Sequence, residues 1–429
     1  MRTGKNGLNL NPDFKVVPLR RGIGEKRSLV QLLKDPDNFV QLLNKVNSAP
    51  HFMLIVSFSG RCIINSLPLT KSEKMNGLKI GNLTVAVPII QGGMGVGVSL
   101  SGLAAAVANE GGIGVISSAG LGLLYSDYPG NFIEASIHGL KEEIRKAREK
   151  TRGVIGVNIM VAMSNFADMI KTSIAEQVDI IIAGAGLPLD LPSFLKKGSL
   201  TKLVPIVSSA RAAKIICEKW KSNYDYLPDA VIVEGPKAGG HLGFKEEQIT
   251  DNNYKLEKLV PEIITELKVY EEKYNHPIPL IAAGGIYTGE DIHDIMKLGA
   301  SGVQMGTIFV TTDECDASDA FKQSYINATE DDIEIIRSPV GMPGRAIISN
   351  FINKVKEGKK QPKKCPFKCI KTCDISKSPY CIIIALKNAL KGNFELGYAF
   401  AGSNAFRATR IKSVKDVFQS LLKEYKESR

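Results

Sequence analysis

One pattern repeats along most of the chain: a short run of β-branched apolar residues ends in Gly, Ser or Asn and is followed by a segment with helical apolar spacing. Continuous apolar runs are typical of parallel strands that helices cover on both faces of a sheet. Eight such runs occur, at 88–95, 113–120, 154–161, 179–186, 204–209, 230–235, 279–285 and 302–309. Eight strand–helix units predict a closed (β/α)8 TIM barrel in the α/β class, with an open doubly wound sheet as the alternative.

The pattern changes on both sides of these repeats. Residues 1–74 have no sustained period, whereas residues 76–83 read as a small hairpin that leads into the first strand. We therefore expect an N-terminal extension at 1–74, the barrel at 75–345, and an appended basic, cysteine-containing helical segment or lid at 346–429. Met75 is a candidate functional start, which would make the preceding residues an accessory or untranslated extension; the alternative is a genuine basic arm.

The formal charge of +11 is unevenly distributed. Residues 1–74 carry 12 Lys and Arg against 5 Asp and Glu, residues 75–344 carry 24 against 33, and residues 345–429 carry 19 against 6. The predicted barrel is therefore acidic, and the basic excess lies at the two ends. This distribution argues against a nucleic-acid-binding core.

Hydropathy and cysteine usage point to a cytoplasmic protein. The chain has no apolar run near the roughly 18 residues that cross a bilayer, which argues against a membrane protein. Three of the seven cysteines are scattered singly, and the other four fall between Cys365 and Cys381. Such a distribution is not a secreted disulfide framework for a chain of this size.

The candidate chemistry lies at the carboxyl ends of the predicted strands, where TIM barrels place their active sites. Gly284-Gly285 and Gln304 to Thr307 follow the seventh and eighth strands, where barrels commonly hold a phosphate, and residues 287–291 read as the cap of the next helix. His241 lies among glycines on the loop after the sixth strand, as a general base would. No second ligand stands at metal spacing and no Ser or Cys lies on a nucleophile elbow, so harder chemistry requires a cofactor.

Several ordered motifs resemble the nitronate monooxygenase family, which includes the flavin-type enoyl-acyl-carrier-protein reductases. They are residues 88–95 (PIIQGGMG), 103–114 (LAAAVANEGGIG), 238–241 (AGGH), 283–286 (AGGI) and 304–307 (QMGT). The resemblance runs from about residue 76 to 345, with a weaker echo at 397–403 (GYAFAGS).

The resemblance implies FMN in the mouth of the barrel and His241 as the catalytic residue, which removes the α-proton of a nitroalkane or steers a nitronate. The implied cofactor-binding residues are Gly92, Gly93, Met94, Asn158, Glu234, Gly239, Gly240, Gly284, Gly285, Gln304, Met305, Gly306 and Thr307. Two positions depart from the family, because Glu234 stands where Gln is common and Lys237 where Glu is common. No metal ligand is among these residues.

The resemblance favours one function and leaves two alternatives open. The favoured function is oxidation of a small-molecule nitronate or nitroalkane with O2 to a carbonyl compound and nitrite. The second is reduction of an enoyl thioester with NAD(P)H, for which an acidic acyl carrier protein would be the partner of the lysines between Lys354 and Lys371. The third is a flavin- or phosphate-binding barrel without turnover.

The cysteines of the C-terminal segment form a separate candidate site. Cys365, Cys369 and Cys373 are four residues apart, so on a helix they would share one face, and Cys381 could complete a four-thiolate site for zinc or an iron–sulfur cluster. The equal alternative is a lid helix whose thiols are inert.

Overall fold

The computed structural model describes residues 56–58, 61–63, 75–359, 364–365 and 367–429. The chain divides into two compact units, Met1–Ser72 and Glu73–Arg429. In the first, the described residues are the antiparallel strands β1 (Val56–Phe58) and β2 (Arg61–Ile63). The hypothesis that residues 1–74 are an accessory extension therefore falls almost wholly outside the described residues.

The second unit is built on the predicted barrel. An antiparallel hairpin, β3 (Leu78–Ile80) and β4 (Leu83–Val85), precedes it. The barrel strands are β5 (Ile89–Gln91), β6 (Ile113–Ser117), β7 (Val154–Met160), β8 (Ile180–Gly184), β9 (Lys202–Val207), β10 (Val231–Glu234), β12 (Leu280–Ala283) and β13 (Gly302–Met305). All neighbours are parallel, and β13 pairs with β5 to close the ring. The TIM barrel is confirmed, and the doubly wound alternative is wrong.

Helices follow the strands and cover the outside of the barrel. They are α1 (Ser101–Asn109), α2 (Leu121–Leu124), α3 (Phe132–Lys150), α4 (Phe166–Ala175), α5 (Ala210–Tyr224), α6 (Leu256–Tyr274), α7 (Gly289–Lys297), α8 (Thr307–Val310) and α9 (Asp319–Ile326). Local sequence fixes several starts: Asn131 with Glu134, and Thr288 with Asp291, form capping boxes that satisfy the free N–H groups of α3 and α7.

Two apolar layers hold these elements together. Leu103, Ile144 and Trp220 belong to a layer between the strands and the helices. Inside the barrel, Ile182 and Ile232 pack in a second cluster that includes Leu78, Ile80 and Val85 of the hairpin. The β3–β4 hairpin thus plugs the amino-terminal end of the barrel, which leaves the carboxyl ends of the strands for a site.

The remaining elements lie against the barrel. They are β11 (Gly240–His241), β14 (Ile333–Arg337), β15 (Pro343–Ile347), α10 (Asn350–Lys356), α11 (Ile382–Leu390), β16 (Ala399–Phe400) and α12 (Val414–Glu427). β15 is the centre of a small antiparallel sheet that joins β11, β14 and β16. Within the described residues, no helix is both long enough and apolar enough to span a membrane.

The cysteine segment does not form the predicted helix. The described residues between 364 and 381 form bends and turns, and Ile370 makes a bridge to Met163 after β7. The backbone of Lys371 and its neighbours bonds to this loop instead, since Lys371 N donates to Ala162 O and Ser164 N donates to Cys369 O. In the part of the chain that is described, no group of three or more His, Cys, Asp or Glu is arranged to hold a metal ion.

Candidate active site

A cavity of about 250 Å³ opens at the carboxyl end of the barrel strands. This volume is close to the lower limit of roughly 300 Å³ for small-molecule sites. All residues predicted for the site line it: Gly92, Gly93, Met94, Asn158, Glu234, Gly239, Gly240, His241, Gly284, Gly285, Gln304, Met305, Gly306 and Thr307. The fold therefore brings together residues from the ends of five barrel strands and their loops.

Glycine permits the close approach of several of these loops. A Cβ at Gly93 would lie 2.3 Å from Cβ of Asn158, so a side chain there would displace the Asn158 amide. A Cβ at Gly239 would lie 2.5 Å from the backbone of Ala401 and Gly402. Gly284 and Gly285 have φ values of 99° and 84°, a region that favours glycine.

Part of the cavity wall comes from a segment to which the sequence assigned no role. Residues 400–404 lie beside the loops after β10, β12 and β13. Gly402 N donates to Thr307 Oγ1 at 3.1 Å, and Asn404 Nδ2 donates to Gly285 O at 2.7 Å. The one available signal was the weak family resemblance at 397–403, but a contact across 119 residues cannot be read from it.

The cavity fits a polar ligand. Gln304 Oε1 and Ser403 Oγ are buried and have no hydrogen-bond partner among the described residues. Both residues line the cavity. Burying a polar atom without a partner costs about 1–3 kcal/mol, so a ligand that bonds to these atoms would relieve that cost.

The amino terminus of α7 is capped by the protein itself. Asp291 Oδ2 accepts hydrogen bonds from the N–H groups of Tyr287 and Thr288, as the predicted cap requires. Glu424 Oε2 of α12 accepts the N–H of Gly289 at 2.8 Å. The amino terminus of α7 is therefore occupied by two carboxylates of the protein itself.

His241 is held by the small sheet rather than by a flexible loop. It pairs with Gly344 of β15, and its ring lies against Phe400 with centroids 4.9 Å apart. Its Nε2 lies 2.6 Å from Ser338 Oγ. Arg345 supports the same loop because its buried guanidinium donates to the carbonyl oxygens of Pro236 and Ala238.

Two titratable groups of the cavity are shifted in opposite senses by the same cause. Burial lowers the pKa of His241 to about 4 and raises the pKa of Glu234 to about 7. Neither group has an ion-pair partner among the described residues. At neutral pH the imidazole is therefore uncharged, and the Glu234 carboxyl group keeps its proton to a higher pH than a solvated glutamate does.

Comparison with known proteins adds the family context. Residues 76–424 match the family model described as nitronate monooxygenase, which extends the likeness past the cysteine segment. A probable nitronate monooxygenase of Staphylococcus saprophyticus is 30% identical over 304 residues, covering 65% of this chain and 80% of that protein.

Two further proteins are similar. A (3aS,4S,5R,7aS)-5-hydroxy-7a-methyl-1-oxo-octahydro-1H-indene-4-carboxyl-CoA dehydrogenase of Rhodococcus jostii is 29% identical over 62% of this chain. The match spans 64% of that relative, less than two thirds of its length. The structure of FabK from Thermotoga maritima superposes with a TM-score of 0.61 and 28% identity, covering 80% of this chain and 94% of that one.

Proposed function

Because the chain belongs to the nitronate monooxygenase family, we propose that it is an FMN-dependent oxidoreductase that oxidises alkyl nitronates, or the nitroalkanes that give rise to them, with O2 to a carbonyl compound and nitrite. The observation that carries the proposal is a single uncharged histidine, His241, facing a cavity of glycine turns and unpaired polar atoms.

In this proposal the protein holds FMN through its strand-end loops. Bound FMN would supply the redox chemistry of the reaction. Gly92, Gly93 and Met94 would lie along the ring system, with Asn158 and Glu234 near its polar edge. The ribityl phosphate would be bound by the remaining predicted residues: Gly239, Gly240, Gly284, Gly285, Gln304, Met305, Gly306 and Thr307. The unpaired Gln304 Oε1 and Ser403 Oγ support a ligand rich in hydroxyl groups at this end.

The state of His241 favours the nitronate over the neutral nitroalkane as substrate. A general base works best when its pKa lies near the working pH, and a pKa of about 4 makes this imidazole a weak proton acceptor at pH 7. An uncharged imidazole can still donate a hydrogen bond to an anionic oxygen. The proposed role of His241 is therefore to bind and orient a substrate that is already ionised.

One experiment tests the proposal against its alternatives. The absorption spectrum of the purified full-length protein is recorded, and oxygen uptake with an alkyl nitronate is compared with NAD(P)H oxidation with an enoyl thioester. We expect a flavin spectrum and oxygen uptake that is faster with the nitronate than with its neutral nitroalkane. A colourless protein that cannot be reconstituted with FMN would contradict the whole proposal. A flavin spectrum without either turnover would favour the binding protein.

Reduction of an enoyl thioester with NAD(P)H is the second candidate. It is supported by the likeness to FabK and by a relative named for a carboxyl-CoA substrate. The lysines that would attract an acyl carrier protein support it less, because Lys354 pairs with Glu395 and Lys356 with Glu334. NAD(P)H oxidation that exceeds nitronate oxidation would make this the function.

His241→Ala is the first variant to make. Loss of a hydrogen bond to an anionic substrate should lower kcat/KM for the nitronate by about 10- to 100-fold. Steady-state oxygen uptake measures this, and FMN binding should stay unchanged because the ring is not among the proposed cofactor contacts. The matched control is His138→Ala, whose ring stacks on Tyr128 outside the cavity. Equal losses in both variants would remove His241 from the mechanism.

A further inference from the structure

Ser338 is fixed in place by the turn between β14 and β15. Its N–H donates to Met342 O at 3.2 Å, and its carbonyl oxygen accepts the N–H of Gly341 at 3.0 Å. The residue is 4% exposed, so the hydroxyl group lies inside the protein. A side chain on such a closed turn keeps one position relative to the strand that follows it.

The same hairpin positions His241. β15 pairs with β11, which places His241 opposite Gly344, and Leu242 N donates to Pro343 O at 2.9 Å. Ser338 Oγ then lies 2.6 Å from His241 Nε2, a short hydrogen bond for a nitrogen–oxygen pair. Phe400 lies on β16, which pairs with the same edge of β15 further along that strand, and its ring packs against the imidazole.

The direction of this hydrogen bond follows from counting protons. A serine hydroxyl has one proton to donate and lone pairs that accept. Val340 N–H points at Ser338 Oγ from 3.4 Å, and among the described residues the acceptor within reach of the hydroxyl proton is His241 Nε2. Burial keeps the ring uncharged near neutral pH, so the ring has a single N–H. If Nε2 accepts, that N–H is on Nδ1, which has no partner among the described residues.

We propose that Ser338 is a positioning residue that holds His241 in its Nδ1–H tautomer and thereby offers an N–H donor to an anionic substrate oxygen in the cavity. The inference rests on the proposed function for the identity of the anion. The tautomer does not depend on the proposed function, since the hydrogen bond accepted by one ring nitrogen fixes the proton on the other. Ser338 acts through His241 and makes no contact with the substrate in this scheme.

Nitrogen-15 NMR of the full-length protein tests the tautomer directly. The protein is labelled at histidine, and the signal of His241 is assigned by its disappearance in His241→Ala. We expect the Nδ1–H tautomer at pH 7 in the wild type and a mixture of tautomers in Ser338→Ala. A wild-type ring protonated on Nε2, or a tautomer unchanged in Ser338→Ala, would overturn the proposal.

Kinetics supply the second readout. Ser338→Ala should lower kcat/KM for an alkyl nitronate by roughly tenfold, with an unchanged dissociation constant for FMN measured by flavin fluorescence. Ser338→Thr keeps the hydroxyl group and should restore both the tautomer and the rate, and Ser199→Ala, outside this cavity, is the control. The two failures are distinguishable. A protein without nitronate turnover but with the expected tautomers refutes the function alone, whereas turnover that Ser338→Ala leaves unchanged refutes the role of Ser338.

Discussion

Individual side chains differ in how far the sequence predicts them. His241 could be chosen because glycines surround it at a strand end, and the structure places it in the cavity with the predicted glycines. Ser338 could not be chosen, because its contact with His241 spans 97 residues and depends on the register of a hairpin. The sequence predicted the position of Glu234 but not its pKa, since the pKa is raised by burial that a sequence does not display.

The raised pKa of Glu234 predicts a pH dependence of the free energy of unfolding. Its pKa rises from 4.5 to about 7 on folding, so between these values the folded state holds more proton than the unfolded state, and stability falls as pH rises. Glu234→Gln removes this loss and should gain up to about 3 kcal/mol over the wild type between pH 5 and pH 8. Urea unfolding of the flavin-free wild type and variant at pH 5 and at pH 8 measures this difference in the free energy of unfolding. His241, whose pKa is lowered by partial burial, has the opposite dependence and is common to both proteins.

The control for this measurement is Glu246→Gln, which changes an exposed carboxylate on the surface. A stability difference between Glu234→Gln and the wild type that does not grow from pH 5 to pH 8 would mean that the Glu234 carboxyl is solvated. That result would not change the placement of His241 or of the other residues that line the cavity.

Strands and helices were the most predictable scale. Seven barrel strands lie inside the predicted runs, and β9 begins two residues earlier than its run. The reason is that a strand buried on both faces has to be continuously apolar, whatever its neighbours. The helix expected for the cysteines is wrong. The spacing of three cysteines is compatible with a helix but does not show which other backbone groups the segment can bond to. Here the backbone near Ile370 bonds to the loop after β7.

The contact between α1 and β6 supplies a test of this packing. A Cβ at Gly114 would lie 1.7 Å from the carbonyl oxygen of Ala104, so Gly114→Ala has to push the helix from the strand. We expect a loss of about 3 kcal/mol in the free energy of unfolding, from chemical denaturation. Gly156→Ala in β7 is the matched control, since its Cβ would meet nothing closer than 3.4 Å. Similar losses in the two variants would contradict the packing described here.

At the scale of the whole molecule, the C-terminal residues are part of the barrel's support. Helix α12 packs on α7 and α1, and its Glu424 caps the amino terminus of α7. The sequence suggested an appended segment because its charge and spacing differ from the barrel repeats. Docking of this kind is not visible in a sequence, since an amphipathic helix does not specify which surface it covers.

Substitution of Phe418 tests how strongly α12 is docked on the barrel. It is 1% exposed and packs on Phe309 of α8 with ring centroids 5.9 Å apart. Phe418→Ala should cost about 3–5 kcal/mol, because it removes a large buried ring and leaves a cavity between α12 and the barrel. Thermal or urea unfolding measures the loss, and Gln419→Ala, exposed on the same helix, is the control. A cost below 1 kcal/mol would show that α12 is not firmly docked.

The wall formed by residues 400–404 also sets an order of events during synthesis. A ribosome releases the barrel strands first, and all eight have emerged before Phe400, Ser403 and Asn404 are made. The nascent barrel can therefore close while its cavity is still open along one side. The complete cavity can capture a ligand only once residues 400–404 have joined its wall, so ligand binding cannot guide the folding of the strands.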